Sequence, residues 1–589
     1  MGTPADLQSE WARLVIGGLV CAGVRHVVIS PGSRSTPFVV AALQRDDIDA
    51  VAAFDERSAA HFALGQARAT GRPSLLICTS GSAPANYFPA VVEAYEAGVP
   101  LLVLSADRPP ELHGCGANQT TDQIQLYGSH VRFFANLGEP RGDDASLRAL
   151  HETLRRAVHA ATDTMAGPVH LNAQARKPLE PQVATDPESA AVHARVTALL
   201  DAAVAIETPS ARTDSRVDGV VASALDSAAR PLILCGPGPL DQSAASASLA
   251  LLADRVGAVV LAEAGSQFRF GEAGAIALGA FDTIWATDEG REALNPDFVL
   301  QLGQNPISSA WGLTQGTVAQ RVVVHGTEWT DAPPSATTFA ATDVASLVTR
   351  LATHDYARDG RDPSFVPRAR SLDRKAWDIS TQLLTDVGDP LSEPAAALAL
   401  VDALPEGAAL VLGNSLPVRD VDRWVPPSNK SLRVVVQRGV SGIDGLVSAA
   451  AGAASQQSGP TALLVGDISF LHDLNGLALA ALSDTPLVVV VINNGGGRIF
   501  EQLPIAGQGD GRWLPYFTTP QQVDLRGAAI LYGCAFEAVS TVSLLQTALA
   551  EALSRPGCSV IEAKVPPESA KELGDELRRR VAQSLGGAA

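Results

Sequence analysis

The chain has 589 residues, 46% of them hydrophobic and 18% charged, an ordinary globular composition that at roughly 150 residues per domain suggests three or four domains. A formal net charge of −19 and a pI near 5.0 exclude nucleic acid and an anionic membrane surface as natural partners. The same charge repels small anionic substrates unless a few arginines reverse its sign locally. No apolar run reaches transmembrane length, and the N-terminal stretch MGTPADLQSEWARLV lacks a basic-then-apolar signal. Cys21, Cys78, Cys115, Cys235, Cys534 and Cys558 form no CxxC pair, which suits isolated thiols in a reducing compartment. A cytoplasmic protein is expected.

In chain order, a first block predicts strands at His26–Ser30, Ser74–Thr79, Leu101–Ser105 and Val169–Asn172, alternating with helical segments. This is the pattern of a doubly wound parallel sheet. From about Leu179 to Ser215 the chain turns to Pro, Ala, Thr and Asp and reads as a linker with room for a short helix. A second α/β block follows, with strands at Pro231–Cys235, Ala258–Leu261, Phe298–Leu302 and Arg321–His325. Its Gly236-Pro237-Gly238 turn lacks a full GxGxxG, so the block reads as a structural middle domain. After a polar stretch from about His354 to Asp389, a third block predicts strands at Ala409–Leu412, Arg433–Val436, Thr461–Val465, Leu487–Ile492 and Ser559–Ala563. The expected fold class is therefore α/β, three doubly wound parallel-sheet domains. The boundaries are 1–182, 218–353 and 390–589, with linkers at 183–217 and 354–389. Similar block size is the only hint of internal duplication.

Several polar stretches follow predicted strands. Ser30-Pro31-Gly32-Ser33-Arg34-Ser35-Thr36-Pro37 brings hydroxyls, N–H groups and a guanidinium to a helix start, which suits a carboxylate site or a capped helix beside a surface arginine. Phe54-Asp55-Glu56-Arg57 opens a helix with Glu56 in its first turn, where an acid complements the dipole. In the third block, Gly413-Asn414-Ser415-Leu416-Pro417-Val418-Arg419-Asp420 and Gln437-Arg438-Gly439 follow strands in the same way. Asp467 follows the strand at Thr461–Val465, and Asn493-Asn494 follows the strand at Leu487–Ile492, with Asn494 27 residues after Asp467. In a βαβ unit both ends meet at the carboxyl edge of the sheet. One carboxylate, one amide oxygen and a carbonyl from Gly495-Gly496-Gly497 make half an octahedron for Mg²⁺, leaving positions for phosphate oxygens and water. Without such an ion, the same residues suit an ordinary capped helix and an Asn-Gly turn.

The order GD, helix-length segment, NN resembles the Mg²⁺-diphosphate motif of thiamine-diphosphate enzymes. The wording GDISFLHDLNGL with NNGGGRIF is narrower and resembles the 2-succinyl-5-enolpyruvyl-6-hydroxy-3-cyclohexene-1-carboxylate synthase family of menaquinone biosynthesis, in which Ile468 stands where broader relatives carry a second glycine. The resemblance covers nearly the whole chain, in the order pyrimidine-binding, central and diphosphate-binding domain.

It implies thiamine diphosphate as cofactor and Mg²⁺ at Asp467, Asn494 and Gly496, with Mn²⁺ as the alternative ion, and Gly466, Ile468 and Ser469 beside the diphosphate. DERSA resembles the segment whose glutamate, here Glu56, hydrogen-bonds N1′ of the aminopyrimidine and favours the imino tautomer. Cys78-Thr79-Ser80-Gly81-Ser82-Ala83 and Gly116-Ala117-Asn118-Gln119-Thr120 resemble two further segments, which implies Thr79, Ser80, Gly81 and Gln119 at the cofactor, Gln119 also facing substrate. In GVSGIDG, Ser441 and Ile443 match cofactor contacts, Ile443 as the apolar wedge beneath the bent cofactor, and Ile499 and Phe500 match residues near the reacting carbon and substrate. SPGSRSTP resembles the isochorismate-side signature and implies Ser33 and Arg34 there, while Ser415, Arg419 and Arg438 match substrate-carboxylate residues. One departure stands out: the family lysine about six residues past Gly303 is Ser309 here.

The activity implied is decarboxylation of 2-oxoglutarate and conjugate addition of the succinyl carbanion to isochorismate. The implied assembly is a homodimer at least, paired again into a tetramer, without nucleic acid or membrane. Two rivals remain: another thiamine-dependent carboligase, acetolactate-synthase-like and using pyruvate, and a non-catalytic protein of the same fold. The first would not need three arginines and SPGSRSTP around the cofactor, and the second could lose Glu56 or Asp467 without penalty.

Overall fold

The computed structural model describes residues 4–163, 165–181, 186–202, 215–326, 334–357 and 359–586. Its strands form three sheets in which every named pair is parallel. The first sheet comprises β1 (His26–Ile29), β2 (Asp49–Ala52), β3 (Ser74–Cys78), β4 (Leu101–Asp107), β5 (Phe133–Gly138) and β6 (Pro168–Gln174), in the order β2-β1-β3-β4-β6-β5. The second comprises β7 (Pro231–Cys235), β8 (Val259–Ala262), β9 (Phe298–Leu302), β10 (Gln320–His325) and β11 (Thr338–Ala341), in the order β11-β10-β9-β7-β8. The third comprises β12 (Ala409–Leu412), β13 (Arg433–Val436), β14 (Thr461–Gly466), β15 (Pro486–Asn493), β16 (Ala535–Val539) and β17 (Gly557–Lys564), in the order β13-β12-β14-β15-β17-β16. Counted from its own first strand, the third sheet repeats the first strand for strand. In both, the order reverses between the block's first and third strands, and open α/β sheets bind ligands beyond the carboxyl ends at such a reversal.

The interior strands are legible because both faces are covered by helices: every residue of Leu487–Ile492 is at most 1% exposed, and such runs read as unbroken Val, Leu and Ile. The strands that the sequence pattern does not reveal, β2, β5, β11 and β16, are all sheet edges. Each leaves most of its residues partly or fully exposed and is a short run, mostly Ala and Phe with an Asp, Asn, Thr or Glu among them, without the unbroken Val, Leu and Ile of an interior strand.

Two stretches expected as linkers contain helices. Pro187–Asp201 is helical, capped by Asp186, while residues 182–185 and 203–214 lie outside the described residues. Within 354–389, where residue 358 lies outside the described residues, Phe365–Val387 forms a helix of 23 residues. Phe365, Ala369, Ala376 and Leu383 turn inward and join the core built on β7, β8 and β9, with Val366, Leu372, Trp377, Ile379 and Leu384 packed against it, and the charged and polar residues between these helically spaced apolar positions make the stretch polar in composition.

The chain divides into two compact units, Met1–Ser210 with Arg438–Gln456, and Ala211–Gln437 with Gln457–Ala589. Arg438–Gln456 thus leaves the strands around it and packs in the first unit. Its helix Leu446–Ala454 is buried at all nine positions and lies against the helix Glu56–Thr70. Glycine makes that crossing close: a Cβ on Gly65 would lie 2.0 Å from the Ala449 carbonyl oxygen, and one on Gly452 2.0 Å from that of Phe62.

Gly→Ala at an exposed helical position usually stabilises, by about 0.4–1 kcal/mol. At this crossing the sign reverses. Gly452→Ala is expected to cost about 1–3 kcal/mol through overpacking, read as a lower urea midpoint for the unit's unfolding. A midpoint that stays or rises would refute the close approach.

Candidate functional site

At the carboxyl edge of the third sheet, β14 runs directly into the helix Asp467–His472, so Asp467 sits at its first turn and is 1% exposed. Asp467 Oδ1 accepts the N–H of Ile468 at 2.7 Å and Oδ2 accepts Nε2 of Gln521 at 2.7 Å. Burial raises the Asp467 pKa, while the Gln521 amide and the N–H groups of Ile468, Gly496 and Gly495 favour the ionised form.

Neighbouring β15 ends in Asn493, whose Nδ2 donates to Glu562 at 2.6 Å, and Asn494 follows, 6% exposed. Asn494 Nδ2 donates to Glu393 Oε1 at 2.8 Å, which leaves Asn494 Oδ1 buried with no hydrogen-bond partner. A buried amide oxygen without a donor is a costly arrangement and is the expected state of an unsatisfied ligand atom. Gly496 adopts φ 143°, and a Cβ there would lie 2.5 Å from the Thr518 carbonyl oxygen, so only glycine fits the turn. One carboxylate, one orphaned amide oxygen and a tight glycine backbone are an oxygen donor set suited to Mg²⁺. Among the described residues no cluster of three His, Cys, Asp or Glu side chains is arranged for a metal ion, which is compatible with a site of this mixed composition.

Gly466 and Ile468 are half-buried beside Asp467, and Ser469 is buried. Ile499 and Phe500 lie in the short helical turn Arg498–Gln502, half-buried, with the Phe500 ring 5.6 Å from that of Phe517.

The turn after β12 holds Ser415 at φ 73°, ψ −124°, a strained conformation for serine of the kind kept at functional turns. Arg419, one helical turn on, donates Nη1 to the Ser415 carbonyl at 2.6 Å. Burial holds the Arg419 guanidinium below the usual arginine value, and Arg423 beside it acts in the same sense. Directly after β8, Glu263 accepts the N–H groups of Ile307 and Ser308 in the turn that follows β9, both at 2.8 Å, and Ser308 Oγ donates to Asp282 at 2.5 Å. Asp282 also pairs with Arg423 at 3.0 Å, and Ser309 itself is exposed.

In the first unit, Ser30 to Arg34 follow β1 and Thr79 to Gly81 follow β3, the two strands of that sheet's reversal. Ser33 is exposed. Arg34 is 4% exposed, donates Nη1 to the Ala175 carbonyl at 2.7 Å and has no partner at Nε. Burial lowers its pKa, the like charge of Arg108 adds to this, and the fully buried Asp107 opposes it.

Beneath them a buried polar chain runs from His170 Nε2 to Ser105 Oγ at 2.7 Å, on to Asn172 Oδ1 at 2.9 Å, and from Asn172 Nδ2 to Asp107 at 2.8 Å. Gln123 joins this chain to the N–H of Gly81. Burial pushes His170 down to about 3, so its imidazole is neutral in the chain. Gln119 is exposed at φ 55° and donates Nε2 to the Ser80 carbonyl, and Ser80 Oγ donates to the Gln119 carbonyl at 3.0 Å. Glu56 starts its helix half-buried, after the cap Asp55 accepts the Arg57 N–H. Arg438, Ser441 and Ile443 are half-buried in the loop that belongs to this unit.

The structure thus brings Thr79, Ser80, Gly81, Gln119 and Arg34 to one sheet edge of the first unit. Asp467, Asn494, Gly496, Ser415 and Arg419 come to the corresponding edge of the third sheet in the second. Sequence reasoning missed Glu393, which opens a helix after Ser392 and reads there as a simple dipole partner, and Gln521, in a stretch without pattern. It also missed Arg108, which follows β4 as Arg34 follows β1 and reaches the Gln119 amide at 3.5 Å.

Residues 10–126 match the thiamine pyrophosphate enzyme N-terminal TPP binding domain, and residues 424–563 match the thiamine pyrophosphate enzyme C-terminal TPP binding domain. A protein of Sorangium cellulosum is 42% identical, covering 99% of this chain and 97% of its own length. One of Haloarcula marismortui is 37% identical and one of Geobacillus kaustophilus 36%, each covering 99% of this chain and all of its own length. All three are named 2-succinyl-5-enolpyruvyl-6-hydroxy-3-cyclohexene-1-carboxylate synthase. With both thiamine pyrophosphate domains present and relatives alike along its whole length, the chain belongs to the 2-succinyl-5-enolpyruvyl-6-hydroxy-3-cyclohexene-1-carboxylate synthase family of thiamine-diphosphate enzymes.

Proposed function

We propose that the protein decarboxylates 2-oxoglutarate and joins the remaining four-carbon unit to isochorismate, giving 2-succinyl-5-enolpyruvyl-6-hydroxy-3-cyclohexene-1-carboxylate and CO₂ in menaquinone biosynthesis. The observation that carries the reading is the orphaned Asn494 Oδ1 beside buried Asp467, in a chain of this family. Asp467, Asn494 and the Gly496 carbonyl hold Mg²⁺ and through it the diphosphate, with Gly466, Ile468 and Ser469 lining that end. Thr79, Ser80, Gly81, Gln119, Ser441 and Ile443 receive the thiamine portion. Thiamine diphosphate, when bound, supplies a carbon nucleophile and an electron sink for the departing carboxylate. Glu56 holds a proton at the aminopyrimidine N1′ and so selects the tautomer that is basic.

Both substrates are dianions, and the guanidinium fork pairs with carboxylate without losing its charge. Arg419 and Ser415 on the third-sheet side, and Arg438 in the loop that packs in the first unit, bind carboxylate, Ser33, Arg34 and Gln119 bind isochorismate, and Ile499 and Phe500 exclude water near the bond being made. The first block is the pyrimidine-binding domain (1–182), the second the central domain (218–353) and the third the diphosphate-binding domain (390–589).

The deciding experiment gives purified protein thiamine diphosphate, Mg²⁺, 2-oxoglutarate and isochorismate and reads the product by mass. The expected product carries the four-carbon addition. A product formed from pyruvate in preference to 2-oxoglutarate would replace this reading with the acetolactate-synthase-like one, and no CO₂ release from any 2-oxoacid would leave a non-catalytic protein.

For the anchor, Asp467→Ala and Asn494→Ala should each abolish Mg²⁺-dependent thiamine diphosphate binding while circular dichroism stays unchanged, since each removes an inner-sphere oxygen. Unchanged affinity in both variants would sink it.

We further propose a homodimer as the smallest active unit, paired into a tetramer. Glu56 and Asp467 belong to different compact units, and in the resembled enzymes the two sides of a site come from different subunits. Glu56→Gln should lower turnover about 10²–10⁴-fold. Mixed with Asp467→Ala under subunit exchange, it should regain activity, because a hybrid dimer has one intact site. Exchange proven by native mass spectrometry without recovered activity would exclude the shared site.

A further inference from the structure

The loop Arg438–Gly445 is held at both ends by groups outside the roles assigned so far. At its start, Glu93 of the helix Phe88–Ala97 is 2% exposed, and its two carboxylate oxygens accept the N–H groups of Gly439 at 2.9 Å and Val440 at 2.7 Å. Arg68 donates Nη2 to the same carboxylate at 2.8 Å and balances its charge. A Cβ on Gly439 would stand 2.6 Å from the Glu93 carbonyl oxygen and 2.9 Å from Oε2, so the loop reaches the carboxylate only with glycine there.

At the loop's end, Asp444 lies 3.5 Å from His61 Nε2, and a Cβ on Gly445 would stand 1.9 Å from the His61 ring. Between the two ends Ser441 is held at φ 58°, a conformation that a serine leaves unless its surroundings fix it.

We propose that Glu93 is a positioning residue for the cofactor pocket: its carboxylate, charged and balanced by Arg68, fixes the backbone of Gly439 and Val440, and so sets where Ser441 and Ile443 stand. The inference rests on the reading of those two residues as thiamine diphosphate contacts. An ionised carboxylate fits two converging N–H donors because both its oxygens only accept. Glutamine at the same place keeps the size but turns an NH₂ group toward one of the donors, leaving that N–H without its partner. Glu93 acts on the cofactor through the loop and contributes no proton to the reaction.

The test compares wild type, Glu93→Gln and Gly439→Ala in the full chain. Thiamine diphosphate binding with Mg²⁺ is measured by titration calorimetry, and hydrogen exchange is followed for peptides spanning 438–445 and Leu101–Asp107. The expected result is affinity about ten- to a hundredfold weaker in both variants, the scale of a lost charge-assisted hydrogen bond. Exchange should be faster in 438–445, with β4 as protected as in wild type. A purely structural role would instead loosen β4 together with the loop.

Equal affinity and equal loop protection in variants that keep β4 protected overturns the inference and leaves the proposed function standing. Wild-type protein that takes up no thiamine diphosphate overturns both. If Glu93→Gln does not fold, Gly439→Ala decides alone, because it disturbs the contact from the loop side and leaves Glu93 and Arg68 in place.

Discussion

A parallel sheet sends the carboxyl end of every strand to one edge, and the chemistry of this protein depends on that constraint. Because β14 and β15 run side by side in register, residues far apart in sequence come together where the strands stop: Gly466 pairs with Ile492, and Asp467 and Asn494 follow. The same rule acts in the first sheet, where Ser30–Arg34 and Thr79–Gly81 follow adjacent strands. Neither group of side chains could be gathered by an antiparallel sheet, whose neighbouring strands end at opposite edges. The repeated strand order in the first and third sheets means that this one device is used twice in the chain.

At each edge a buried partner settles an ambiguity that backbone topology leaves open. An asparagine amide can present either oxygen or nitrogen, and Glu393 takes the nitrogen, so the oxygen of Asn494 faces outward from the pair. Burial pushes the Glu393 carboxyl up, with the Asp467 charge acting in the same sense, so two acids are crowded where a divalent cation would relieve them. On the first sheet, fully buried Asp107 offsets part of the cost of desolvating Arg34, and the polar chain through Asn172 and Gln123 ties that acid to Gly81. An acidic protein can in this way keep cationic positions locally, by lodging them inside the fold and away from its surface charge.

What could be read from sequence follows burial. Interior strands such as β15 are unbroken Val, Leu and Ile runs and stand out, whereas β2, β5, β11 and β16 sit at edges, partly exposed, as short runs mostly of Ala and Phe with a polar residue among them. The helix Phe365–Val387 was hidden because the charged and polar residues between its helically spaced apolar positions make the stretch polar on average. Asp467, Asn494, Glu56, Arg34 and Arg419 stand out in the sequence because each lies shortly after a strand or in the first turn of a helix, within a distinctive run of neighbours. Glu393, Gln521 and Glu93 were not, since each acts on a residue more than fifty positions away and nothing local distinguishes it from a helix-surface acid or a loop amide. Departure of Arg438–Gln456 from its own block was equally invisible: the run LVSAAAGAA signals a buried helix but not which core buries it.

That departure bears on how the protein can evolve and be dissected. A domain that keeps all its buried surface within one continuous stretch can be exchanged between proteins as a cassette. Here the stretch that holds the third sheet lends its helix Leu446–Ala454, buried at every position, to the first unit. Cutting the gene between the second and third blocks would yield a fragment with nine core residues and no core to receive them, and a first block with the face of Glu56–Thr70 laid bare. The two ends of the chain are therefore bound to change together, and recombination that swaps one without the other is penalised at the glycine crossing before any question of activity arises.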